Sequence, residues 1–129
     1  INGQFSNSIN VIEYNNNNSL LNILQTVPTI PKNEKSDLTS QIMCDFNGKY
    51  LYCANRGHNS IVRYVINQNN GMLYNNDPFW INCNGIEPRF FNIYPNNEYI
   101  FMANQEGNNP NISIFKINHD NDGILSLIG

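Results

Sequence analysis

Positive charge is scarce in this sequence, which has 7 lysines and arginines against 10 aspartates and glutamates and a formal net charge of −3. Nucleic acids and anionic membrane surfaces attract clustered positive charge, so the composition argues against both as partners. No apolar run approaches the roughly 18 residues of a membrane span. No segment carries an apolar stripe at helical spacing over three turns, so the pattern does not favour α-helices.

Cysteine is also rare, and the three residues Cys44, Cys53 and Cys83 lie in apolar, strand-like runs without the spacing of a zinc site. We predict buried, reduced thiols with no disulfide framework, and free thiols favour a cytoplasmic location. The sequence shows no glycine-rich phosphate loop, metal motif or nucleophile elbow. No metal or organic cofactor is therefore predicted.

Asparagine, in contrast, is abundant, with 28 residues that fall mostly between the apolar runs. Asparagine tolerates the left-handed backbone region and bonds to its own main chain, so these residues are expected in turns. We interpret the Asn-rich composition as a bias of the source genome, with prion-like aggregation as the alternative. It says little about function.

An internal repeat is the most informative feature that is present. Residues 50–57 recur loosely as residues 99–106, with Asn55 answered by Asn104 49 residues later, and a degraded third copy opens the chain at Asn2. Periods of about 40 to 50 residues made of short apolar runs are typical of β-propeller blades. Alternating polar and apolar residues, separated by Asn-Gly and Asp-Gly turn signals, favour an all-β fold.

We therefore predict four-stranded propeller blades whose strands a to d run from the centre of the ring to its rim. About two and a half blades are present, so residues 1–129 are expected to be part of a longer propeller domain, a fragment of a ring of roughly four to eight blades. The second d strand includes Pro78, which suits an edge. The predicted strands are 42–46 and 90–94 (a), 50–55 and 99–104 (b), 8–14, 60–66 and 111–117 (c), and 20–26, 73–81 and 124–128 (d).

Antiparallel connections bring the d-to-a and b-to-c loops of every blade to one end of the ring. Arg56 and Arg89 fall in these loops, where a pair of guanidinium groups can bind a carboxylate or phosphate bidentately. The alternative is that each arginine only holds neighbouring loops in place. The third arginine, Arg63, lies in a c strand and is expected on a solvated face.

Further candidates follow in the same loops. His58 is predicted to be catalytic, because its imidazole can activate water or position a hydroxyl at neutral pH. Glu87 is a candidate base or orienting group that contributes to substrate binding, and Asn55, Asn104 and Gln105 are candidate hydrogen-bonding partners of a substrate. For the two asparagines the alternative is a turn-stabilising bond repeated in each blade.

Three strings carry a resemblance to a known family: YLYCANRGHNSI at 50–61, EPRFF at 87–91 and FMANQ at 101–105. They resemble the "YVSNRGHDSI", "PRDF" and "LLVANQ" runs of the seven-bladed propeller lactonases, a family that includes 6-phosphogluconolactonases and is related to carboxymuconate cyclases. The resemblance implies a seven-bladed ring, of which this chain is about the later third. It also implies that Arg56 lines the central pocket. Gly3 departs from the family, whose members often have an acidic residue there.

By this resemblance the expected function is a hydrolase that opens an anionic sugar lactone. Arg56 is expected to be catalytic, and Arg56 and Arg89 are expected to hold the phosphate or polarise the ester carbonyl. The implied reaction converts 6-phosphogluconolactone to 6-phosphogluconate in the pentose phosphate pathway, without a cofactor. One alternative is a carboxymuconate-type cycloisomerase, in which the arginines bind carboxylates and no water is consumed. Another is a propeller that only binds a partner, because fold does not determine function.

Overall fold

A computed structural model describes residues 1–35 and 38–129. These residues form eleven β-strands and one short 3₁₀ helix, His119–Asn121, and contain no α-helix. The strands are β1 Asn2–Gly3, β2 Ser8–Asn15, β3 Leu20–Pro28, β4 Leu38–Cys44, β5 Tyr50–Arg56, β6 Ser60–Val65, β7 Phe79–Asn82, β8 Ile86–Ile93, β9 Tyr99–Glu106, β10 Asn111–Asn118 and β11 Ile124–Leu127.

The strands form three antiparallel sheets, each built from strands that follow one another in the chain. Blade 1 has the order β1-β2-β3, blade 2 β4-β5-β6-β7, and blade 3 β8-β9-β10-β11. Each four-stranded sheet is a meander, as the repeat predicts, and the first sheet contains the degraded copy. The prediction of an all-β fold of propeller blades is confirmed.

The middle blade is covered on both faces, and β5 shows this most clearly because every one of its residues is buried. Tyr50, Tyr52 and Ala54 pack in an apolar cluster with residues of blade 3. Leu51 and Cys53, which point to the opposite face, pack in a second cluster with residues of blade 1. Since alternate side chains of a strand face opposite sides, this one strand contributes to both interfaces between blades.

Two tyrosine hydroxyls of blade 2 reinforce these interfaces. Tyr52 donates to the carbonyl of Gly123 in blade 3 at 2.7 Å, and Tyr64 donates to the carbonyl of Pro28 in blade 1 at 2.5 Å. Burial raises the pKa of Tyr52, and it raises the pKa of Tyr64 to about 12. Both phenols therefore stay protonated and remain donors at any ordinary pH.

The prediction that asparagines occupy turns is supported by the backbone conformations. Eight described residues other than glycine have a positive φ, and five of them are asparagines: Asn7, Asn33, Asn59, Asn84 and Asn97. Asparagine adopts this left-handed region at lower cost than most side chains because it can bond to the local backbone.

The sequence misplaced several strand boundaries. The a strands begin four residues earlier than predicted, at Leu38 and Ile86. The polar residues that precede each apolar run also pair with the b strand. The predicted d strand at 73–81 is wrong, because Leu73 makes only an isolated bridge to Ile66 and the paired strand is Phe79–Asn82. Pro78 therefore lies just before that strand.

Two predicted environments are also wrong. Arg63 is only 2% exposed, because the strand that carries it belongs to the blade covered on both faces. One of its terminal nitrogens donates to the carbonyl of Asp77 at 3.0 Å and lies 3.4 Å from the Asp77 carboxylate.

Cys44 is exposed at the end of β4, whereas Cys53 and Cys83 are buried free thiols as predicted.

At the end of the blades opposite to the predicted site, a buried carboxylate connects blades 2 and 3. Asp45 accepts hydrogen bonds from the backbone N–H groups of Lys49 at 2.6 Å and Tyr50 at 2.8 Å, which close the turn between β4 and β5. It also accepts from the amide of Asn97 in blade 3 at 3.0 Å. The Asn97 side-chain oxygen accepts in turn from the N–H of Phe46.

Replacing this carboxylate is expected to destabilise the protein. Asp45→Ala removes the acceptor of several charge-assisted bonds and leaves buried donors unpaired, so the free energy of unfolding should fall by about 3 kcal/mol. Urea denaturation measures the loss. The control is Asp120→Ala, at an exposed position in the 3₁₀ helix, which should change stability by no more than about 0.5 kcal/mol. Equal effects of the two substitutions would contradict the assignment.

Thiol reactivity is expected to follow burial. Burial raises the pKa of Cys53 to about 12 and also raises that of Cys83, so neither forms the reactive thiolate in the folded protein near pH 8. Burial and the neighbouring Asp45 raise the pKa of Cys44 too, so this exposed thiol should react more slowly than a free cysteine. Titration with Ellman's reagent should modify Cys44 alone until denaturant is added. Rapid modification of Cys53 or Cys83 in the folded protein would contradict this expectation.

Candidate active site

A polar cavity of about 360 Å³ opens at the end of the blades where the sequence predicted the site. Its walls come from all three blades: β1 of blade 1, the start of β4 and the end of β5 in blade 2, and the start of β8 in blade 3. We call it the arginine cavity. Its lining residues are Asn2, Gln4, Thr39, Ser40, Gln41, Arg56 and Arg89.

A β-bulge in each a strand shapes this cavity. In β4 the register passes from Thr39 opposite Asn55 to Ile42 opposite Cys53, so that two residues face one. In β8 the register shifts at the corresponding position of blade 3, between Pro88 and Phe90. Bulges bend a strand and re-aim its side chains. The irregular segments supply the lining residues Ser40, Gln41 and Arg89.

Arg56 ends β5 and is only 6% exposed, although it lines the cavity. Its Nε atom lies 3.9 Å from a carboxylate oxygen of Glu87, which comes from the neighbouring blade. Arg89, two residues after Glu87, lines the same cavity and is exposed. The structure therefore brings together the two arginines that the sequence placed at one end of the ring. Arg89 and Glu87 lie within β8 rather than in a loop.

Hydrogen bonds behind the lining residues connect the three blades. The Asn2 amide of blade 1 donates to the carbonyl of Ser40 at 2.7 Å and to the hydroxyl of Thr39 at 3.2 Å. The Thr39 hydroxyl donates to the carbonyl of Gly3 at 3.0 Å. The Ser40 hydroxyl donates to the carbonyl of Pro88 in blade 3 at 2.5 Å. These bonds hold the inner strands at the separation that creates the cavity.

The chemistry of the lining favours an anionic, hydroxylated ligand. The described lining residues include two arginines and no carboxylate, together with amide and hydroxyl groups from Asn2, Gln4, Thr39, Ser40 and Gln41. Guanidinium groups suit carboxylates, phosphates and developing oxyanions, and the amides can bond to hydroxyls. Among the described residues there is no group of three or more metal-ligating side chains.

Asn55 and Asn104 bond to the protein and are not among the described lining residues of the cavity. Asn55 Nδ2 donates to the carbonyl of Thr29, just after the last strand of blade 1, and to the hydroxyl of Ser60. Asn104 Nδ2 donates to the carbonyl of Cys83, just after the last strand of blade 2, and to Ser113. These geometries match the alternative of a repeated structural bond. Direct substrate binding by either residue stays a prediction.

His58 lines a different cavity, of about 340 Å³, together with Glu34, Ser60 and Trp80. Its Nδ1 lies 2.6 Å from the hydroxyl of Ser60, and its Nε2 contacts the Glu34 carboxylate. A carboxylate requires a proton on the ring nitrogen that faces it, so the neutral ring carries its proton on Nε2 and Nδ1 accepts from Ser60. The structure therefore does not place His58 with the two arginines. Its catalytic role stays a prediction.

Gln105 is exposed near the end of β9, the strand that pairs with β8, and it is not among the described lining residues of the arginine cavity. Gly3 stands in the chain between the lining residues Asn2 and Gln4, and its carbonyl accepts from the hydroxyl of Thr39. The absence of an acidic side chain at this position leaves the described lining without a carboxylate.

Sequence reasoning missed five lining residues: Asn2 as a lining group, Gln4, Thr39, Ser40 and Gln41. Three of them, Thr39, Ser40 and Gln41, precede residues 42–46, which the apolar pattern predicts as the a strand. The available signal was the repeat itself, because Ser40 stands 49 residues before Arg89, at the corresponding position of the preceding blade.

Comparison with known proteins identifies the family. Residues 2–128 match the family described as "Lactonase, 7-bladed beta-propeller". The chain belongs to this family, which confirms the resemblance seen in the three sequence strings.

The relatives are longer than this chain. It is 35% identical over 124 residues to a 6-phosphogluconolactonase of Formosa agariphila, covering 89% of this chain and 33% of that relative. It is 31% identical over 127 residues to a 6-phosphogluconolactonase of Blochmanniella pennsylvanica, covering 97% and 36%. A crystal structure of a Lactobacillus plantarum protein matches with a TM-score of 0.87 at 26% identity, covering 98% and 36%. The chain thus spans about a third of the length of these proteins.

No helix in the described ranges, 1–35 and 38–129, has the length and apolar character needed to cross a membrane.

The structural assignment of Asn104 can be tested on stability. Asn104→Ala removes a buried amide that ties β9 to the end of blade 2, so the free energy of unfolding should fall by about 2 kcal/mol. Gln105→Ala is the matched control, since Gln105 is the exposed neighbour, and it should change stability by no more than about 0.5 kcal/mol. Urea denaturation of both variants measures the two changes in the free energy of unfolding. An unchanged stability of Asn104→Ala would favour the substrate-binding role instead.

Proposed function

We propose that residues 1–129 are part of a propeller domain that hydrolyses an anionic sugar lactone, with 6-phosphogluconolactone as the substrate. The observation that carries the proposal is the convergence of Arg56 and Arg89, from neighbouring blades, on one polar cavity. The volume of about 360 Å³ falls within the range of small-molecule sites. Membership of the lactonase family and the names of the two relatives support this substrate class.

In the proposed reaction, a water molecule attacks the lactone carbonyl carbon and the negative charge develops on the carbonyl oxygen. A guanidinium group directed at that oxygen stabilises the tetrahedral intermediate more than the substrate, and this difference accelerates the reaction. The bond between the carbonyl carbon and the ring oxygen then breaks, one proton of the attacking water passes to the ring oxygen, and the other is released to solvent as the product acid ionises to a carboxylate. One arginine serves the oxyanion while the other binds the phosphate.

Burial and contacts support different roles for Arg56, Arg89 and His58. Arg56 is nearly buried, so its charge acts where water screens it little, whereas Arg89 is exposed and suits the outer, phosphate-bearing end of a substrate. His58 contacts Ser60 and Glu34 in the other cavity. We therefore propose Arg56 as the main catalytic group and Arg89 as a substrate-binding group. A role in the pentose phosphate pathway and a cytoplasmic location are parts of the same proposal.

The proposal predicts different kinetic effects for these residues. In the full-length protein, Arg56→Ala should lower kcat/KM for 6-phosphogluconolactone by about 100-fold or more, as expected for loss of an oxyanion-stabilising group. Arg89→Ala should act mainly by raising KM, and His58→Ala should cost less than about 10-fold. Lactone hydrolysis can be followed through the acid released, with correction for spontaneous hydrolysis.

The matched control is Lys32→Ala, which removes a positive charge from an exposed residue shortly after the last strand of blade 1. It should leave the kinetics unchanged. Unchanged turnover in Arg56→Ala would overturn the mechanism. A protein that binds muconate-type diacids and isomerises them without consuming water would instead support the cycloisomerase alternative.

A further inference from the structure

Glu87 has an unfavourable backbone conformation that its surroundings maintain. Its φ is +57°, in the left-handed region that glutamate rarely adopts, and it precedes Pro88, which favours an extended residue before it. Its N–H donates to the side-chain oxygen of Asn59 at 2.9 Å, which fixes this conformation. Because such residues persist only where the structure holds them, and often near functional sites, the contacts of Glu87 point to a function.

The Glu87 carboxylate spans the junction of two blades. One oxygen accepts from the N–H of Gly57 at 3.0 Å, and the other lies 3.9 Å from Nε of Arg56. Both partners belong to blade 2, whereas Glu87 belongs to β8 of blade 3. The side chains of Arg56 and Glu87 are 7% and 19% exposed, so water screens their attraction less than at an open surface.

The second arginine lies on the same strand as Glu87 and close to this contact. Arg89 follows Glu87 by two residues in β8, at the bulge that supplies the cavity lining. A shift of Glu87 relative to Gly57 would move the start of β8 and change the separation of the two guanidinium groups. Glu87 itself is not among the described lining residues of the cavity.

We propose that Glu87 is a positioning residue that orients Arg56, aligns Arg89 with it, and limits how tightly the cavity holds an anion. The inference rests on the proposed function, because it takes Arg56 and Arg89 as the anion-binding groups. The negative charge of Glu87 offsets part of the positive charge of Arg56, so the cavity binds anions less tightly than it would without Glu87. In return the guanidinium of Arg56 is held in one orientation, and the anionic product is released more easily.

The two effects of Glu87 predict opposite changes in binding and turnover for Glu87→Gln. The new amide oxygen can still accept from Gly57, but the negative charge beside Arg56 is lost. Inorganic phosphate should therefore bind about threefold to tenfold more tightly, whereas kcat for the lactone should fall about tenfold. Isothermal titration calorimetry measures phosphate binding. A merely structural role of Glu87 would not tighten binding.

The matched control is Glu106→Gln, which removes the same charge from an exposed residue paired with Ile86 in the register, next to Glu87. It should change phosphate affinity less than twofold. Glu87→Asp keeps the charge but is one methylene too short to reach Gly57 and Arg56 together. It should lower kcat without tightening phosphate, and it serves as the test if Glu87→Gln does not fold.

Two results would overturn the proposal. One is equal phosphate affinity in the wild type, Glu87→Gln and Glu106→Gln, when circular dichroism shows all three to be folded. The other is a wild-type kcat in Glu87→Asp. Failure of the proposed function gives a different result, because Arg56→Ala would then bind phosphate as tightly as the wild type.

Discussion

The structure depends on the burial of sheet faces between neighbouring sheets, and the middle sheet is covered on both faces. In blade 2, Tyr52 and Ala54 point to blade 3 while Leu51 and Cys53 point to blade 1, so one strand contributes apolar area to two interfaces. A single four-stranded sheet cannot cover both of its faces, and only stacked blades exclude water from them. The buried tyrosine hydroxyls and the Asp45 carboxylate add directional bonds across the same interfaces.

The candidate active site is a consequence of this stacking. Asn2, Arg56 and Arg89 belong to three different blades and reach one cavity because the inner strands lie side by side. The bulges in β4 and β8 occur at corresponding positions, so the repeat creates a similar irregularity in both four-stranded blades and the side chain at that position decides the chemistry. Both bulges supply lining residues, but Ser40 at one bulge is a hydroxyl that bonds to Pro88 of the next blade, whereas Arg89 at the other brings a positive charge.

The repeat also separates structural from chemical residues. Asn55 and Asn104 are preserved between blades and make equivalent bonds to the preceding blade. The position that follows them differs, since Arg56 corresponds to Gln105, and only Arg56 lines the described cavity. A residue required for stacking is needed in each blade, but a charged group directed at a ligand is needed once. Positions at which the copies diverge are therefore better candidates for function than positions at which they agree.

The sequence by itself determined the all-β fold, the b and c strands, the asparagine turns and the common end of Arg56 and Arg89, because these follow from local periodicity and from the reversal of chain direction at each turn. Tertiary structure alone decided the rest. The start of β4 at Leu38 depends on pairing with β5, and the burial of Arg63 depends on a neighbouring blade covering its strand. The left-handed conformation of Glu87 and the turning of His58 toward Glu34 depend on partners distant in the chain, which no local pattern records.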